Sequence, residues 1–235
     1  MKTFEGKVVI VTGRSSGIGE AAALQFAREG ATVVIAARRS DKSEAVIRQI
    51  TALGSKGLFI QTDVTKRTDI EALVEGTLAR FGRLDCAVNN AGITGPVSVP
   101  TAEIEEKSWD EVMNVNLKGV WLCMKYEIPA MLKEGKGAIV NVSSAYGYKP
   151  SDVGHAPYCA QRGQSRVYAL RDGGPLFAIS SGVDESLDQP VFRDESAGAR
   201  GRGCRGHETW LCSDAARFVN GAVLPLDGGD TARLY

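Results

Sequence analysis

Within residues 8–19 the chain passes from strand to glycine loop to helix, and that passage constrains everything after it. Val8-Val9-Ile10-Val11 is an apolar, β-branched run that suits a buried strand. A helical pattern follows from Ile18 to Arg28 and stops at Gly30. Gly13, Gly17 and Gly19 therefore lie on the turn between a strand and a helix N-terminus. Glycines let the backbone come close to a ligand, and the unpaired N–H groups and dipole of a helix start favour an anion. Three glycines alone describe a tight turn. With a strand before them and a helix after them, they describe a phosphate cradle.

Strand and helix then alternate. Apolar runs at Ala31–Ala37, Gly57–Ile60, Leu84–Val88 and Gly137–Val142 read as strands, and Leu176–Ser180 and Phe218–Leu224 extend the series. Between them, Val46, Ile50 and Leu53 fall on one helical face, as do Ile70, Leu73, Val74, Leu78 and Phe81. Ser40, Thr68-x-x-Glu71 and Ser108-x-x-Glu111 read as helix caps. The last opens a long helix bearing Val112, Asn116, Val120 and Met124, which Pro129 is expected to kink or interrupt. This alternation implies an α/β fold: a single doubly wound parallel sheet of about seven strands, with helices on both faces. Ligands in such sheets sit beyond the carboxyl ends of the strands, where Thr12, Asn90 and Ser144 all fall.

Length and charge narrow the class. A chain of 235 residues is most simply one domain, residues 1–235. Lys plus Arg balances Asp plus Glu at 28 each, which argues against a broad nucleic-acid or anionic-membrane surface. No apolar run reaches the length of a membrane span, and Met1-Lys2-Thr3-Phe4-Glu5 lacks the apolar stretch of a signal peptide. Cys86, Cys123, Cys159, Cys204 and Cys212 are odd in number and scattered, so they read as cytoplasmic thiols. Cys204-x-x-His207 has no second ligand pair, and no metal is expected. The stretch 198–206, rich in Arg and Gly but without aromatics, reads as a flexible loop. Residues 181–208 as a whole form an irregular region with no convincing element.

Taken together, the chain resembles the short-chain dehydrogenases/reductases. Thr12-Gly13-x-x-x-Gly17-Ile18-Gly19 is similar to the family's cofactor loop, and Asn89-Asn90-Ala91-Gly92 to its sheet-stabilising motif. Asn116 within Val-Asn-Leu-Lys-Gly, Ser144 and Tyr158 resemble its catalytic positions, and Asp227-Gly228-Gly229 its C-terminal signature. The likeness covers residues 5–160 and 209–229. Between them the family's Tyr-x-x-x-Lys becomes Tyr158-Cys-Ala-Gln-Arg162, and the amphipathic helix that should follow is not legible. A reading-frame slip across 161–208 would produce this pattern, with Lys then expected at position 162.

The resemblance implies hydride transfer between a nicotinamide and a carbonyl carbon. Tyr158 would be the general acid or base, Ser144 would orient the substrate oxygen, and Asn116 would hold a water in the proton path. Arg162 stands where the family's Lys lowers the tyrosine's pKa and holds the nicotinamide ribose. A planar guanidinium does not reproduce an ammonium's position or relay protons, so weakened turnover is expected. The cofactor would be held by Gly13, Arg14, Ser15, Ser16, Gly17, Ile18, Gly19, Arg38, Asp63, Val64, Asn90, Ala91, Gly92 and Tyr158. No carboxylate ends the second strand: Ala37 is there, followed by Arg38, with Arg14 in the loop. Two cations suit a 2′-phosphate, which favours NADP(H), with NAD(H) as the alternative. The expected function is an NADP(H)-dependent oxidoreductase interconverting a secondary alcohol and a ketone. The alternative is a cofactor-binding protein with little or no turnover, a sensor or scaffold. By analogy, the long helices would join copies into a tetramer or dimer.

Overall fold

The computed structural model describes residues 2–13, 17–143, 157, 167–170, 209 and 212–213, with backbone alone at 167–170. Its elements are β1 (Val8–Thr12), α1 (Ile18–Arg28), β2 (Thr32–Ala37), α2 (Ser40–Ala52), β3 (Gly57–Gln61), α3 (Arg67–Phe81), β4 (Cys86–Asn89), α4 (Glu106–Met113), α5 (Gly119–Lys133), β5 (Gly137–Asn141) and β6 (Val167–Leu170). The strands lie in the order β3-β2-β1-β4-β5-β6. The first five are the expected strands, and they pair in parallel. The sixth is a strand that the sequence pattern does not mark, and it runs antiparallel to β5. The expected strands at 176–180 and 218–224 lie outside the described residues.

The central position of β1 explains its composition. All five of its residues are buried, because helices cover both faces of the sheet. Val9 and Val11 point into one core with Phe26, Ile35, Val46 and Ile50; Val8 and Ile10 point into the other with Leu73, Leu84, Met131 and Ile139. Phe4 closes the first core, its ring edge-on to Phe26 at 5.0 Å. Among the described residues no helix is long and apolar enough to cross a membrane.

Three expected helix starts are displaced. α2 begins at Ser40 itself, α3 at Arg67 and α4 at Glu106, and none of the three has a side-chain cap. Ser40, Thr68 and Ser108 thus lie inside the first turns. The carboxylates Asp41, Asp69 and Glu106 in those turns interact with the positive helix end instead. Pro129 is accommodated within α5, which continues to Lys133. The irregularity lies upstream, in a π-helical turn at Asn114–Lys118 that joins α4 to α5.

At the opposite sheet edge from the strand C-termini, Asp85 is 5% exposed and fastens β1 to β4. Its carboxylate accepts the Val8 N–H at 2.9 Å, Lys7 Nζ at 3.1 Å, and Arg83 Nε and Nη2 at 2.7 and 2.6 Å. Burial raises the pKa of this acid, but the bonds from Arg83, Val8 and Lys7 outweigh it and the net shift is downward. Stability from a depressed carboxylate is present above the unfolded pKa and is lost as pH falls through the folded one. Asp85→Asn is therefore expected to cost about 1–3 kcal/mol in urea unfolding at pH 7. The gap from the parent protein should narrow as the acid is protonated below pH 4.

Candidate active site

β1 and β4 are neighbours in the sheet, although β2 and β3 intervene in sequence. The chain leaves β1 toward one flank and returns to β4 on the other, which opens a crevice at their carboxyl ends. Gly13 ends β1 there with φ +69, a conformation L side chains rarely adopt. A Cβ on Gly13 would strike the Ala91 Cα and lie 2.6 Å from the Ala91 nitrogen. A Cβ on Gly19 would strike the Gly13 carbonyl oxygen and lie 2.5 Å from Asn90 Nδ2. Gly17 precedes α1 with φ +82 and nothing within 4 Å of a Cβ position. Two glycines thus allow the end of β1, α1 and the β4 exit to close on one another, and the third, at the N-terminus of α1, meets none of the described residues.

Asn90 ties these parts together. Its backbone N–H donates to Thr12 Oγ1 at 3.1 Å, and its side-chain amide donates to the carbonyls of Thr12, at 3.3 Å, and Gly13. The Ala91 N–H also reaches Thr12 Oγ1, at 3.3 Å. Of the expected participants, Gly13, Gly19, Asn90 and Ala91 thus meet at the ends of β1 and β4, with Gly17 and Ile18 at the start of α1 and Gly92 next to Asn116. Arg14, Ser15 and Ser16 lie outside the described residues.

The next strand ends extend the crevice. Arg38 is exposed just past β2, and its carbonyl accepts Gln61 Nε2 at 3.1 Å. Asp63 follows β3 with its Oδ1 accepting the Thr65 N–H at 3.1 Å and the Thr65 hydroxyl at 2.8 Å. Burial raises its pKa; the Thr65 bonds and the charges of Arg38 and Lys66 outweigh that and hold it below the usual carboxylate value. Val64 is buried against α5, where a Cβ on Gly119 would lie 3.0 Å from Val64 Cγ2.

Asn116 occupies the π-helical turn and is buried. Its Oδ1 accepts the Ile93 N–H at 2.9 Å and its Nδ2 donates to the Ile93 carbonyl at 2.8 Å. The side chain thus clamps the loop that leaves the Asn89–Gly92 motif. The other expected catalytic residues, Ser144, Tyr158 and Arg162, lie outside the described residues. Ser143 is exposed directly after β5, two residues past the end of the strand. Among the described residues no group of three His, Cys, Asp or Glu could hold a metal.

Sequence pattern alone missed a polar cluster under the same strand ends. Asn89 and Asn141 end β4 and β5 in register, and Asn89 Nδ2 donates to Asn141 Oδ1 at 3.1 Å and to Glu127 Oε2 at 3.0 Å. Asn141 Nδ2 reaches Met124 Sδ at 3.4 Å. Glu127 is 0% exposed in mid-helix α5. Its one signal in the sequence is a carboxylate flanked by Tyr126 and Ile128.

The comparisons agree with this architecture. A family model described as short chain dehydrogenase matches residues 7–163. A 3beta-hydroxysteroid dehydrogenase of Mediterraneibacter gnavus is 41% identical, covering 98% of this chain and 97% of the relative. Two solved structures superpose on about two thirds of the chain. A 7α-hydroxysteroid dehydrogenase complexed with NADH and 7-oxo glycochenodeoxycholic acid has a TM-score of 0.64 at 27% identity, covering 68% of this chain and 61% of that one. An actinorhodin polyketide ketoreductase with NADPH has a TM-score of 0.63 at 35% identity, covering 66% and 59%. The chain therefore belongs to the short-chain dehydrogenases/reductases, oxidoreductases that act on CH–OH groups with a nicotinamide dinucleotide.

Proposed function

We propose that the protein is an NADP(H)-dependent oxidoreductase that interconverts a secondary alcohol and a ketone. The observation that carries this reading is the crevice at β1 and β4, where Gly13, Gly19 and Asn90 pack the backbone tightly and Gly17, at the start of α1, meets none of the described residues. A pyrophosphate fits that place: small residues line it, and the helix N-terminus is positive. The dinucleotide, when bound, supplies or accepts the hydride. Tyr158 gives the proton to the substrate oxygen in reduction and removes it in oxidation, while Ser144 holds that oxygen by a hydrogen bond. Asn116 keeps the neighbouring loop in place through Ile93. Arg162 supplies a fixed cation to the phenol, less well placed than an ammonium would be.

Arg38 supports the preference for NADP(H), since it is exposed beyond β2 where a carboxylate would repel a 2′-phosphate. Among the related structures one holds NADPH and another NADH, so the preference rests on this chain's own residues. Replacing Arg38→Glu is expected to weaken NADPH binding by about 10- to 100-fold, the loss of one charge-assisted contact, and to leave NADH binding no weaker. Calorimetric titration with each dinucleotide reads this directly.

Residues 1–235 form one dinucleotide-binding domain in this reading, with 181–208 shaping the substrate pocket. The protein works in the cytoplasm as a homodimer or homotetramer. Exposed Trp121 and Leu132, on the outer side of α5, are consistent with contact between copies. Titration with NADPH and NADH, followed by turnover of a ketone panel, tests the whole proposal. Binding without turnover would favour a sensor or scaffold, a reading for which Arg162 is the ground.

A further inference from the structure

The Asn89, Asn141 and Glu127 cluster lies directly beneath the proposed cofactor seat, and its hydrogen bonding is incomplete. Glu127 Oε1 and Asn89 Oδ1 are both buried and have no hydrogen-bond partner among the described residues. Donors in the cluster are the two amide NH2 groups, one of which reaches only the weak acceptor Met124 Sδ. The Asn89 amide is committed to Asn141 Oδ1 and Glu127 Oε2 and the Asn141 amide points to sulfur, so while Glu127 is a carboxylate no donor of the cluster serves Glu127 Oε1 or Asn89 Oδ1. A proton on Glu127 adds the donor that is short, and it also removes a charge from a site shut off from water.

Among the described residues nothing compensates that charge. From β4 and β5 the facing polar groups are the neutral amides Asn89 and Asn141. The buried residues of α3 are the apolar Ile70, Leu73 and Val74 and the neutral Thr77, whose hydroxyl donates to the Leu73 carbonyl at 2.7 Å. On α5 itself Cys123 lies one turn back, and burial together with the charge of Glu127 holds its thiol well above its usual value. Lys125 is exposed over the Trp121 ring. Among the described residues no cation pairs with Glu127. Burial pushes its pKa up to about 7, against the Asn89 hydrogen bond that lowers it.

We propose that Glu127 is a positioning residue: as a neutral acid it holds Asn89 and Asn141 together at the strand ends, and its ionisation loosens the adjoining Asn90 seat of the glycine loop. The route is short. Asn89 is bonded to Glu127, and the next residue, Asn90, holds Thr12 and Gly13. Dinucleotide affinity should thus fall as pH rises through neutrality. This rests on the dinucleotide reading of the crevice.

The test compares the full chain with its Glu127→Gln variant, in which the side chain stays neutral. NADH, which lacks a titrating 2′-phosphate, is the probe. Affinity of the parent protein should weaken about five- to tenfold from pH 6 to pH 8.5, while the variant stays flat, a coupling of ordinary size between linked sites. Equal slopes in the two proteins would overturn the proposal. Hydrogen exchange at the Asn90 amide, without dinucleotide, gives an independent readout. Its rate relative to the intrinsic rate should rise with pH in the parent protein and not in the variant. A constant ratio in the parent protein alone overturns the proposal, even if the variant does not fold. If exchange behaves as expected but neither dinucleotide binds, the loosening stands and the cofactor reading falls.

Discussion

Gly13→Ala should remove both dinucleotide binding and a large part of the protein's stability. Two costs combine. The backbone at φ +69 disfavours any L side chain, and the new methyl would occupy the space of the Ala91 backbone. Neither obstacle is the flexible end of a side chain, so relief requires β4's exit to move away from β1. That movement would break the Asn90 bonds to Thr12 and Gly13. The combined penalty is about 3–5 kcal/mol in urea unfolding. NADPH affinity should fall by at least about 100-fold, since the crevice itself is deformed. Two other glycines serve as controls. Gly54→Ala carries similar backbone strain at φ +79 with no clash, far from the crevice, and should lose about 1–2 kcal/mol with binding intact. Gly17→Ala also meets no atom of the described residues, so it should be nearly as stable as Gly54→Ala and yet bind dinucleotide poorly. Equal affinity in Gly17→Ala and the parent protein would mean that no anion sits at the start of α1.

The second large effect concerns turnover. Arg162→Lys should raise kcat/KM for a ketone by about tenfold or more, within the range that general acid–base catalysis supplies. A free tyrosine has a pKa near 10. A compact ammonium close to the phenol stabilises the phenolate more effectively than a planar guanidinium, whose charge is spread and whose reach is longer. The gain should disappear in the double variant with Tyr158→Phe, because the cation acts through the phenol. Tyr158→Phe alone should lower turnover by about 10²–10⁴-fold with dinucleotide affinity little changed. Steady-state kinetics with the titration described above separates the two contributions. An Arg162→Lys variant no faster than the parent protein would show that some other feature of residues 161–208 limits the rate.

Much of the fold was legible because it depends on short-range pattern. The five parallel strands fall where apolar runs meet glycine or polar breaks, and the helices between them have one apolar face each. The helix starts differ from the pattern of Ser and Thr because neighbouring turns compete with these residues as caps. In the β3–α3 connection the hydrogen bonds are instead made by Asp63 and Asp69, with Asp69 Oδ2 accepting the Asp63 N–H at 3.0 Å. A proline removes one helical bond, so the sequence predicts a kink or an interruption at Pro129; the helix is not interrupted there, and α5 continues past it. The real irregularity at Asn114–Lys118 has no proline or glycine to announce it. It contains Asn116, whose amide binds a backbone 23 residues away.

By itself, the sequence determined the class of fold, the glycine loop and the family, because each is written in consecutive residues: period, turn chemistry and a motif at fixed spacing. Tertiary structure decided what Asn116 holds, why Asp85 is buried beside two cations, and that Glu127 has no charged partner among the described residues. Those outcomes depend on strand register and helix packing, which bring together groups 38, 52 and 78 residues apart. A buried polar side chain is judged by its partners, and partners at such separations are set by the sheet order, which no local pattern encodes.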